Sequence, residues 1–211
     1  MELSLDEKKR LMVILLDAGH GIGTPGKRSP DGRLREYAYA RQIVAAVASR
    51  LKAEGYRVEI VVPEQADIRL GERCARVNAW CDKVGSRRAL LVSVHVNAAG
   101  SGDRWMAARG WEAWTSPGQT QGDCLADCLY DAAQRRLPPG TPIRTDLTDG
   151  DRDKEERFTI LTGTRCPAVL TENLFQDNRQ EVDWLLGDEG REAIINIHVD
   201  GIKDYVERFG K

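Results

Sequence analysis

Short, nearly continuous apolar runs alternate along this chain with longer stretches in which apolar residues recur every three or four positions. The first pattern marks strands covered on both faces, and the second marks amphipathic helices. Strands are predicted at Met12–Asp17, at RVEIVV (57–62), at ALLVSVHVN (89–97), at GWEAWT (110–115) and at PAVLTEN (167–173). FTIL (158–161) reads as a strand end or a turn, and RTDLTDGDRDKEER (144–157) as a solvated loop. The stripe Ala40, Ile43, Val44, Val47 and Leu51 predicts a helix from Glu36 that Gly55 stops. Further helices are predicted over Leu70–Val84, Gln119–Arg136, Arg179–Leu186 and Glu189–Phe209. Alternation of this kind gives an α/β fold, with a mostly parallel twisted sheet of about five or six strands and helices on both faces. No repeat or linker divides the 211 residues, so one catalytic domain is expected, with its core over about 12–209 and a charged tail at 1–10.

Composition narrows the partners. The 31 basic and 33 acidic side chains leave no global basic field, so no nucleic-acid partner is expected. No apolar run approaches membrane-spanning length, so no membrane insertion is expected. The first apolar run leads straight into DAGHG without a small-residue cleavage site, and it reads as a strand rather than a signal peptide. The five cysteines form no CxxC pair and follow helix stripes or precede a strand. They read as buried free thiols of a chain made in the reducing cytoplasm.

The candidate chemistry lies at the ends of the predicted elements. His20 follows VILLDAG and His95 closes ALLVSVHVN, so both emerge at the same edge of a parallel sheet, where such sheets bind ligands. Glu36 opens a helix, and Glu172 follows a buried run in which an ionised group needs a partner or a cation. Two imidazoles and a carboxylate are a common way to hold catalytic zinc with a fourth position left for water, and a second carboxylate then serves as proton shuttle. The third histidine, His198, falls mid-helix and reads as a surface or boundary residue. Other motifs fail on context. Gly21–Gly26 spells a dinucleotide fingerprint, but Pro25, Pro30 and Gly32 keep a helix from starting there. Arg28 stands where a phosphate loop needs Ser or Thr. Asp149, Asp151 and Asp153 are followed by Lys154, where a calcium loop needs glycine.

Taken in order, LLDAGHG with His20, RLREYAYARQIVAAV with Glu36, IRLGERCARVNAW, SVHVN with His95 and PAVLTEN with Glu172 resemble the zinc-dependent N-acetylmuramoyl-L-alanine amidases of the third amidase family. The likeness spans roughly Val13 to Glu181. It implies one zinc ion per chain on His20, Glu36 and His95, with Glu172 as the catalytic carboxylate. The implied reaction is hydrolysis of the amide between the muramic acid lactyl group and L-alanine in peptidoglycan, by an enzyme acting on the cell wall as a phage-type endolysin does. Asn97 is a candidate to orient a ligand or bind substrate, or else to cap its loop. Trp105 is a candidate to stack on sugar or peptide, or else to anchor its loop. Asn173-Leu174-Phe175 departs from the family's Gly-Phe pair after the last glutamate, which implies a different pocket wall. A zinc peptidase of related architecture and a non-catalytic peptidoglycan-binding module remain as alternative readings.

Overall fold

Side chains alternate between two buried faces of one sheet, which is described here from a computed structural model covering residues 3–210. The elements run α1 (Leu5–Leu11), β1 (Val13–Ala18), α2 (Glu36–Ala53), β2 (Arg57–Ile60), α3 (Leu70–Val84), β3 (Ala89–Asn97), β4 (Glu112–Thr115), α4 (Gln121–Arg136), β5 (Lys154–Glu155), α5 (Thr159–Thr162), β6 (Ala168–Phe175), α6 (Arg179–Leu186) and α7 (Asp188–Phe209). The strand order is β2-β1-β3-β6-β4-β5. The first four of these are mutually parallel, whereas β4 runs antiparallel to β6 and carries β5 parallel to itself. The sheet is therefore the mostly parallel, helix-flanked one that the periodicity predicts.

Alternation places Ile14, Leu16, Leu90, Val92, Val94 and Val169 on the larger core, under α2, α4 and α7. Val13, Leu15, Leu91 and Leu170 face the smaller core, which α3 and α5 cover. Each large aliphatic side chain sealed in this way contributes about 1.5–3 kcal/mol.

Four local expectations are corrected. The charged start is not a tail: α1 is held by a capping box in which Ser4 and Glu7 cap each other, and Lys8 is buried with its ammonium on the Glu207 carbonyl at 2.6 Å. FTIL lies on α5 rather than on a strand, and the sixth strand comes from Lys154–Glu155 inside the expected loop. That stretch is not simply solvated, because Asp153 is buried and accepts from the Thr115 hydroxyl at 2.5 Å. Finally, β6 continues past Glu172 to Phe175, so the glutamate lies within the strand.

Candidate metal centre

The centre starts where β1 ends. Gly19 still bonds to the Val94 carbonyl at 3.0 Å, and the chain then turns so sharply that His20 takes φ 57°. That left-handed conformation is rare outside glycine and persists only where its surroundings enforce it. Two arginines enforce it here. Arg73 of α3 and Arg41 of α2 each donate to the His20 carbonyl at 3.0 Å. Arg73 also donates to the Ala18 carbonyl at 2.6 Å and to Asp17 at 2.9 Å, and Ser93 donates to the other Asp17 oxygen at 2.6 Å. Gly19 is required for a separate reason: a Cβ there would lie 2.5 Å from the His95 ring.

Glu36, the first residue of α2, reaches over the sheet edge. Its Oε1 lies 3.3 Å from His20 Nε2 and 3.1 Å from His95 Nδ1, and it accepts from the Val96 amide at 3.1 Å. The three side chains offer ligand atoms that all lie within 4.8 Å of one another, the one such group of His, Cys, Asp or Glu among the described residues. A tetrahedral ion with ligands at about 2.0–2.1 Å separates them by about 3.3 Å, close to the 3.3 and 3.1 Å between Glu36 and the two imidazoles, so the three residues could hold zinc. Two buried oxygens, Oε2 of Glu36 and Oε2 of Glu172, have no hydrogen-bond partner, as expected of carboxylates arranged around a cation. Imidazole and carboxylate donors also match that ion.

Electrostatics follow from the same contacts. Burial opposes charge on Glu36, but the two imidazoles outweigh it and hold the carboxyl well below the usual range. Burial also opposes charge on His95, and Glu36 more than offsets it, so the imidazole's pKa is raised. Burial pushes Glu172 up to about 8, with His95 pulling it down and Glu36 pushing it further up. Strand register places Glu172 beside His95 on β3 and beside Glu112 on β4, so the three form a row across neighbouring strands.

The remaining expectations fare differently. Asn97 donates to Glu112 at 2.8 Å and accepts from the Ala98 amide at 2.8 Å, so it supports the row and its loop. Trp105 is half-buried against the larger core with the Arg179 guanidinium 4.8 Å above its ring. His198 is not a surface residue. It is fully buried and bridges α7 to β6, with Nδ1–H donating to the Ile194 carbonyl at 2.7 Å and the Thr171 hydroxyl 2.9 Å from Nε2. The departure after Glu172 is structural. Asn173 ties the His95 carbonyl at 2.9 Å to the Trp111 indole at 2.9 Å, and Leu174 is buried at φ 65°, a conformation that favours glycine. Sequence reasoning missed Asp17, Arg41, Arg73 and Glu112. Of these, Asp17 and Glu112 carried a signal, since each is a charge inside a predicted strand.

Comparison with known proteins adds the following. A family model described as N-acetylmuramoyl-L-alanine amidase matches residues 14–204. The endolysin of Bacillus phage SPP1 is 31% identical over 199 residues, covering 91% of this chain and 65% of that protein. The chain thus spans slightly less than two thirds of that relative. The amidase structure from Clostridium difficile 630 superimposes with a TM-score of 0.79 at 22% identity, covering 94% of this chain and 98% of that one. The catalytic domain of CwlV from Paenibacillus polymyxa gives 0.76 at 21% identity, with coverage of 93% and 98%. At those identities the two structures speak to the fold.

Proposed function

The chain belongs to the N-acetylmuramoyl-L-alanine amidase family, and from that membership we propose that it hydrolyses the amide joining N-acetylmuramic acid to L-alanine in peptidoglycan. The proposal includes one zinc ion held by His20, Glu36 and His95. The observation that carries it is the convergence of those three ligand atoms within 4.8 Å, beside the carboxylate of Glu172 on the next strand. When bound, such a cation supplies a Lewis acid that polarises a carbonyl and makes water nucleophilic near neutral pH. The protein's own groups do the rest. Arg41 and Arg73 fix the backbone of His20, and Gly19 leaves room for the ring of His95. Glu172, whose buried Oε2 has no hydrogen-bond partner, would take a proton from the attacking water and deliver it to the leaving L-alanyl nitrogen. Asn97 acts by holding Glu112, and Trp105, half-buried with Arg179 over its ring, anchors its loop. Action on the cell wall agrees with the phage endolysin relative. Among the described residues, no helix is long and apolar enough to cross a membrane.

Purified sacculi test the reading. The expected products are free peptides with a new L-alanyl N-terminus and an intact glycan. A chelator should abolish their release and zinc should restore it. Cleavage inside the stem peptide would favour the peptidase reading, and wall binding without turnover by the zinc-loaded protein would favour a binding module. Glu172→Gln should keep its zinc while losing at least about a hundredfold in turnover, the lower end for a general acid–base group. Loss of the metal in that variant would place Glu172 among the ligands instead.

A further inference from the structure

A cavity of about 310 Å³ opens beside the metal centre, lined by Ile22, Lys27, Arg28, Arg35 and Tyr37 among others. Three of these side chains are cationic. Arg28 and Arg35 face each other across an antiparallel bridge, closed by the Ser29 amide on the Leu34 carbonyl at 2.8 Å. Like charges directly opposite on paired strands are destabilising. Nothing in the loop relieves them. Asp31 is taken by Arg33 at 2.7 Å and by the Ser29 hydroxyl at 2.7 Å, and Glu36 by the two imidazoles. Among the described residues neither Arg28 nor Arg35 makes an ion pair or a side-chain hydrogen bond. The cavity is joined to the metal centre through Lys27. Its ammonium is 3.9 Å from Glu36 Oε2, and its carbonyl accepts from the Glu36 amide at 3.1 Å. An anion seated here would offset the two guanidinium charges that the fold leaves unmatched, beside the ammonium of Lys27.

We propose that Lys27, Arg28 and Arg35 form a carboxylate subsite that receives the leaving side of the substrate. The assignment rests on the amidase reading for the direction of the substrate. The first carboxylate past the scissile amide is the α-carboxylate of the second stem residue, D-isoglutamate, which lies within about two extended residues, roughly 7 Å, of the scissile nitrogen. Lys27 stands at the border of the two sites, with its ammonium 3.9 Å from Glu36 Oε2. The chain therefore favours stems bearing a free carboxylate over stems in which this group is a carboxamide.

The test compares N-acetylmuramoyl-L-alanyl-D-isoglutamate with its D-isoglutamine counterpart, each with its γ-carboxyl capped as the methylamide and neither carrying any wall phosphate. Calorimetric binding to the full chain freed of metal by a chelator reads the subsite without turnover. A carboxylate preference of roughly three- to tenfold is expected, since exposed ion pairs are individually weak. It should shrink in 0.5 M salt and fall to about 1 in the Arg28→Gln/Arg35→Gln double variant. Equal affinities in the wild type, or a preference that survives in a folded double variant, would overturn the subsite. KM for the zinc-loaded enzyme should show the same ratio. If the binding preference holds but neither compound is hydrolysed, the reaction reading fails while the subsite stands.

Discussion

His20 shows how one residue concentrates the requirements of the centre. Its left-handed backbone costs on the order of 1–3 kcal/mol and is held by two guanidinium groups on one carbonyl. Its neighbour Gly19 supplies the space that the His95 ring fills. Gly19→Ala should therefore displace that ring, weakening zinc binding at least about tenfold while far-UV circular dichroism stays native; competition against a chromogenic chelator checks it. Wild-type affinity in that variant would show that the ring tolerates the extra methyl group. His20, Glu36 and His95 could be read from the sequence because histidines are scarce and two of them follow sealed apolar runs. Arg73 could not, since an arginine on an amphipathic helix looks like solvated surface until the fold turns it inward, where it is almost fully buried. His198 misled for the converse reason: helical periodicity places it beside the stripe, and only the tertiary packing that brings it to Thr171 of β6 seals it.

Long, strongly periodic elements matched their expected positions, and three of the short ones, α1, β5 and α5, did not. α5 is four residues long and β5 only two, below the length at which a period can be recognised. β5 is defined by pairing to β4 at the sheet's edge, and its Lys154 and Glu155 suit an edge that must not recruit further strands. Helix packing gives a sharper test. On α7 a Cβ at Gly201 would lie 2.9 Å from the Leu129 Cα of α4, so the two helices meet over a missing side chain. Gly201→Ala gains roughly 0.5–1 kcal/mol of helix propensity. Overpacking against a backbone atom costs about 1–3 kcal/mol. The packing cost should win, lowering Tm by a few degrees for a chain of this size in a calorimetric scan. A raised Tm would show that α4 and α7 can separate freely.

Across the molecule, two buried groups away from the metal centre give opposing pH dependences. Burial pushes Asp153 up to about 7 from 3.8, with its Thr115 hydrogen bond opposing and Asp151 adding. The folded form then holds that proton more tightly than the unfolded chain, and stability is lost as pH rises from about 4 to 7. Burial depresses His198 from 6.5 to about 4, so the unfolded chain binds the extra proton and stability is lost as pH falls through that window. The two trends largely cancel. Asp153→Asn removes the first, so thermal melts of that variant should climb from pH 4 to 6.5 more steeply than those of the wild type; parallel curves would mean that Asp153 titrates normally. A further consequence follows from where the proposed ligands sit. One opens α2, one follows β1 and one lies on β3, so a shared ion would rivet a helix to the sheet it covers. Binding only the folded form, it would add about 4 kcal/mol at a thousandfold excess over its dissociation constant. A chain that lost its ion would then be open to proteases as well as inactive, so metal supply would set the protein's lifetime together with its catalysis.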